Sequence, residues 1–155
     1  MKVEGKGSFL NSGGFKEFSR EMVSRGYREF VVDLAECATM DSTFMGTMAG
    51  VALRLKEVGH GHLRVVHCGD RSRELLTGLG LDQIFTIQAN GSPAPRCELL
   101  ARAETPGDSG AKKEEQKREM LHAHEALCHA APENVSRFKD VLDYLREDLQ
   151  QPAAK

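Results

Sequence analysis

The chain has 155 residues, 40% of them hydrophobic and 28% charged, which is enough apolar material for one ordinary domain with an appendage. With 21 basic residues against 23 acidic ones its formal net charge is −2, so no overall field favours nucleic acid or an anionic membrane surface. No apolar run approaches the roughly 20 residues that span a bilayer, and Met1-Lys2-Val3-Glu4-Gly5 has no signal-peptide core, so the sequence predicts a soluble, cytoplasmic protein.

In chain order, Lys2-Val3-Glu4 reads as the end of an edge strand and Gly5 to Gly14 as a Gly, Ser and Asn-rich loop broken by Phe9-Leu10. Phe15, Phe18, Met22 and Val23 mark one face of a helix over 15–25, which Gly26 stops. Phe30-Val31-Val32-Asp33-Leu34 is a short buried strand. Met45, Met48, Ala49, Ala52 and Leu55 then recur at helical spacing, predicting a helix over 42–58 with Asp41 and Ser42 at its entrance. Backbone N–H groups at such an entrance lack intrahelical partners and carry partial positive charge, so a carboxylate, a hydroxyl or an added phosphate is favoured there.

Gly59-His60-Gly61-His62 breaks the helix, and Leu63 to Cys68 is another strand. Gly69-Asp70-Arg71-Ser72 turns into a shorter helix carrying Leu75, Leu76 and Leu79, closed by Gly80, and Ile84-Phe85-Thr86-Ile87 is a last short strand. This alternation predicts a small α/β domain over 1–90, with right-handed crossovers and a mostly parallel sheet covered by helices. Breaker-rich stretches from Asn90 to Pro95 and from Glu104 to Gly110 predict a linker over 91–110 and a helical extension over 111–151. In that extension Val135, Phe138, Leu142, Leu145 and Leu149 form an apolar stripe. Such a stripe packs on its own domain or its sister helix, the alternative being a partner-binding or dimerising face.

Cys37, Cys68, Cys97 and Cys128 are scattered singly with no CxxC pair, so four reduced thiols are expected. The pairs His60/His62 and His122/His124 have poor spacing for a metal: two residues apart on a helix do not share a face, and no acidic or cysteine cluster accompanies the glycine-flanked pair. Nucleophilic catalysis would need Ser42 or a cysteine beside a positioned base, and nothing in the sequence selects such a pair. Neither a nucleophile elbow nor a phosphate-cradling glycine loop occurs. The reading is a non-enzymatic protein without cofactor or metal.

With Val31-Val32-Asp33-Leu34, Met40-Asp41-Ser42-Thr43-Phe44-Met45-Gly46 and Leu79-Gly80-Leu81-Asp82-Gln83-Ile84-Phe85 in that order, residues 2–88 resemble the STAS domain family, and within it the single-domain bacterial anti-sigma factor antagonists. The resemblance implies a partner-switching protein in transcription regulation. Its phospho-acceptor is Ser42, modified by an anti-sigma factor that is itself a serine kinase, and a phosphatase is a further partner that would reset the switch. Asp41, Ser42, Thr43, Phe44 and Met45 are the implied partner-binding residues. The unphosphorylated form binds the kinase and releases the sigma factor. The alternative is a STAS accessory subunit of a transporter ATPase or signalling assembly, in which Ser42 is never modified. Two positions depart from the family pattern: aligning Gly5 with a Gly-x-Leu-Asp turn puts Ser8 at the aspartate, and Phe44 stands where glycine is common, a bulky residue that either changes partner choice or is tolerated on the helix surface.

Overall fold

The structure, a computed structural model, describes residues 1–88 and 113–150. Its elements are β1 (Lys2–Gly7), α1 (Phe9–Ser24), β2 (Glu29–Met40), α2 (Ser42–Val58), β3 (His62–Val66), α3 (Asp70–Gly78), a 3-10 turn (Leu81–Gln83), β4 (Thr86–Ile87), α4 (Lys113–Ala130) and α5 (Glu133–Gln150). The strands form one parallel sheet in the order β1-β2-β3-β4, the α/β architecture expected. Because every crossover steps in the same direction, right-handed connections put α1, α2 and α3 on one face of the sheet. Burial along β2 agrees: Phe30, Val32 and Leu34 are buried, whereas Val31 and Asp33 between them are only half-buried.

Several boundaries differ from the sequence reading: β1 runs on to Gly7 through the start of the expected loop, β3 ends at Val66 and not at Cys68, and three further differences have a clear cause. The glycine-rich stretch after residue 8 is helical, so α1 starts at Phe9 and not at Phe15. Ser8 and Asn11 form a reciprocal capping box, and Asn11 also donates to the Lys6 carbonyl at 2.8 Å, which anchors the first turn despite Gly13 and Gly14. Strand β2 runs past Leu34 to Met40 because β1 continues beside it, Glu4 opposite Glu36 and Gly7 opposite Met40. Register shifts interrupt that pairing, and Gly5 stands at one of them with φ 77°, a left-handed conformation that glycine adopts without strain. Finally, β4 is only Thr86–Ile87, since Ile84 and Phe85 are drawn into the preceding turn by hydrogen bonds to the Leu81 carbonyl.

The C-terminal helices share the domain's core. Leu127 is wholly buried in the same apolar cluster as Phe44, Met48 and Leu81. Along the stripe of α5, Leu142 and Leu145 are buried and Phe138 half-buried, while Val135 is exposed. Asn134, at the start of α5, is buried and donates to the carbonyls of Leu79 (2.9 Å) and Leu127 (2.8 Å), and Arg137 donates to the Gly78 carbonyl at 2.7 Å. The hairpin of α4 and α5 is thereby fastened to the end of α3. The expected linker, like Cys97, lies outside the described residues; Cys37, Cys68 and Cys128 are free thiols.

Asp33 accepts from the Ala35 N–H at 2.9 Å and pairs with His67 Nδ1 at 3.0 Å. Burial pushes its carboxyl up, but the Ala35 amide, the hydrogen bond and charge of His67, and Lys2 together outweigh that and hold it below its ordinary value of 3.8. A carboxyl lowered by folding stabilises the fold above its unfolded value, and that stabilisation is lost as pH falls through the folded one.

Two outcomes follow. Leu127→Ala should cost about 2–5 kcal/mol in urea unfolding, whereas Val135→Ala should stay within about 0.5 kcal/mol; equal, small effects would mean that α4 adds nothing to the core. Asp33→Asn should flatten the acid limb of stability below about pH 4, read from urea midpoints at stepped pH.

Candidate functional site

Asp41 ends β2 and opens α2. Its backbone N–H donates to the Gly7 carbonyl at 2.8 Å, tying the C-terminal ends of β1 and β2 together. One carboxylate oxygen accepts the Phe44 N–H at 2.8 Å as the cap of α2, and the other accepts the Phe9 N–H at 2.9 Å in the first turn of α1. A single side chain therefore satisfies donors at two helix N-termini, both of which carry partial positive charge.

Ser42 follows as the first residue of α2 and is half-buried, while Thr43 and Met45 are buried and Phe44 is completely so. Phe44 is not on the helix surface: it turns into the core and stacks on Phe15 with ring centroids 5.9 Å apart. Gly7 makes the room: a Cβ there would lie 2.7 Å from the Phe44 ring. The bulky residue beside the candidate acceptor is thus a core residue.

Ser42, Gly46 and Gly50 recur every fourth residue and share one stripe of α2. Helix α4 lies along that stripe. A Cβ on Gly46 would come 2.2 Å from the Ala123 carbonyl oxygen, so the two backbones are in direct contact, and a Cβ on Gly50 would meet Ala126 Cβ at 3.8 Å. At the head of the stripe His124, only 4% exposed, places Nε2 3.0 Å from Ser42 Oγ. Its Nδ1 is 2.6 Å from the Met120 carbonyl. A carbonyl only accepts, so Nδ1 carries a proton, and in the neutral imidazole Nε2 then accepts the Ser42 hydroxyl hydrogen. The Phe138 ring of α5 meets the imidazole edge-on at 5.1 Å and holds its plane.

The entrance of α2 is consequently half covered by the chain's own α4. The Ser42 hydroxyl is thus engaged by the imidazole, while its oxygen keeps its lone pairs. Sequence reading missed His124 as a partner of Ser42. The available signal was its place between Met120 and Leu127 on the inner face of α4, whereas His122 is exposed on another side. Among the described residues no group of three or more His, Cys, Asp or Glu gathers to hold a metal ion.

A parallel sheet with helices on one face and an Asp-Ser pair at the turn from β2 into α2 defines a small α/β domain. The chain belongs to the STAS family: the family model described as STAS domain matches residues 1–93, more than half of it. The match stops short of α4, so the helix that covers Ser42 lies outside the family's portion. Among solved structures the chain is similar to the NMR structure of the protein TM1081, at 20% identity and a TM-score of 0.48, over 52% of this chain and 64% of that one. Comparison with curated proteins gives no match.

A double-mutant cycle measures the serine–imidazole contact. His124→Phe should cost about 1–3 kcal/mol by leaving the Ser42 hydroxyl without its acceptor, and Ser42→Ala less, since Asp41 is the cap. The coupling between them should be about 0.5–1.5 kcal/mol in urea unfolding, and additive costs would show that the two side chains do not meet.

Proposed function

We propose that this chain is an anti-sigma factor antagonist that works by partner switching and is not itself an enzyme. The observation that carries the reading is Ser42 Oγ, standing beside Asp41 at the entrance of α2 in a chain of the STAS family. STAS domains commonly mediate protein–protein contacts. No helix among the described residues is long and apolar enough to cross a membrane. An anti-sigma serine kinase binds the unmodified entrance, phosphorylates Ser42 and is released; a phosphatase restores the hydroxyl.

The physics of release is local. A phosphate adds about −1.5 to −2 charge beside Asp41, and although the helix N-terminus accepts it, a closely docked partner meets repulsion and desolvation. Losing about 3 kcal/mol weakens a complex roughly a hundredfold. Of the five proposed contact residues, Asp41 and Ser42 are accessible in the folded chain, while Thr43, Phe44 and Met45 are buried and would shape the surface from beneath. A kinase reaching Ser42 also competes with His124, so α4 and the kinase contend for one hydroxyl.

The second reading, an accessory subunit of a transporter ATPase without phosphorylation, draws support from that same engaged hydroxyl. Co-purification separates the two: a kinase-type ATPase favours switching, an ABC-type ATPase the accessory role.

On the leading reading, ATP and the cognate kinase add one phosphate, mapped by peptide mass to Ser42 and absent from Ser42→Ala. Ser42→Asp should melt close to the wild type yet bind the kinase at least about tenfold more weakly, because a carboxylate suits a helix N-terminus but adds charge to the contact. Phosphate found on Thr43 alone, or full kinase affinity in Ser42→Asp, would sink the assignment.

A further inference from the structure

One turn and more beyond Ser42, α1, α2 and α4 enclose an open cavity of about 490 Å3, a size typical of small-molecule sites. It exists because the facing positions are small. Ser19 on α1 and Gly46, Thr47 and Gly50 on α2 put no bulk between the helices, although Gly46 lets α4 settle closely on α2 nearby. The hydroxyls of Ser19 and Thr47 are spent on the carbonyls of Lys16 and Thr43, so the walls present little free polarity. Val23, Val51 and Ala123 line the apolar part.

The rim has the opposite character. Lys16, Arg20 and Arg54 line it against one carboxylate, Glu119, and Lys16 already holds that carboxylate at 3.0 Å. Arg54 reaches Glu57 only at 3.5 Å on an exposed surface, a pair of little energetic weight. Arg20 enters no ion pair among the described residues. Two arginines on different helices thus line one largely apolar hollow, and a planar fork of donors is the side chain that best holds a carboxylate or a phosphate.

We propose that this cavity binds a small organic anion, its carboxylate or phosphate head between Arg20 and Arg54 and its compact apolar body against Val23, Val51 and Ala123. Since α4 forms one wall, the ligand binds the docked hairpin and favours it over the lifted one. By linkage, ligand at a hundred times its Kd shifts that equilibrium roughly a hundredfold. The docked state is the one in which His124 holds the Ser42 hydroxyl, so the anion keeps the helix entrance covered. That regulatory step rests on the proposed role of Ser42; the binding itself does not.

The test uses the full chain with 1-naphthoate, 1-naphthyl phosphate and the uncharged 1-naphthalenemethanol, titrated by calorimetry and by amide chemical shifts. At least one anion should bind saturably at one site, shifting Arg20, Val51 and Ala123, with the uncharged analogue about tenfold weaker or more. Arg20→Glu and Arg54→Glu change exposed residues, so the fold should persist while affinity for the anion falls about tenfold each. Hydrogen exchange of the α4 amides should slow when the anion is bound. Equal affinity for the uncharged analogue, no saturation, or indifference to both charge reversals would overturn the site. Binding without slower exchange in α4 would overturn its coupling to the hairpin. Failure of Ser42 to accept phosphate would instead overturn the switching role and leave the cavity site standing.

Discussion

The two oxygens of Asp41 fix the geometry on which everything else depends. One closes the first turn of α2 and the other the first turn of α1, so two helices that leave neighbouring strands are referred to one carboxylate. From that brace follow the packing of Phe44 on Phe15, the need for glycine at position 7, and the direction in which Ser42 leaves the helix. The carboxylate is stabilised by two sets of unpaired donors, which also makes the place hospitable to a second negative charge one residue on.

Much of this was legible in the residues. The periodicity from Met45 to Leu55 located α2 to the residue, and Asp41-Ser42 marked its entrance, because one face of a helix and its cap leave a local pattern. The start of α1 was not legible: Gly13 and Gly14 argue against a helix, and only the reciprocal bonds of Ser8 and Asn11, with Asn11 reaching back to Lys6, overrule them. Nor was the length of β2, since residues 35–40 have weak strand character and are held extended by β1. The Ser42–His124 contact joins residues 82 positions apart and depends on Gly46 meeting the Ala123 backbone, a fit between surfaces that leaves no periodic trace. The cavity was equally silent, being made by side chains that are missing.

Docking of α4 and α5 is built from unlike parts. At one end Leu127 and Asn134 are buried and tied to α3; at the other, His124, the Lys16–Glu119 pair and the flush contact at Gly46 meet α1 and α2. Local opening takes the path with the fewest buried apolar groups. The end at Ser42 relies more on polar contacts, the end at Leu127 on buried apolar and amide groups.

The sheet's borders have a consequence of another kind. Strands laid down in chain order leave β1 and β4 as the two rims of the described sheet, and an open rim invites a foreign strand to add itself. Both rims discourage that. β1 is broken by two register irregularities and carries Lys2 and Lys6, and β4 offers two residues. A template so short on one side and so kinked and charged on the other is poor at seeding fibrils. Addition of a foreign strand at either described rim is disfavoured on these grounds.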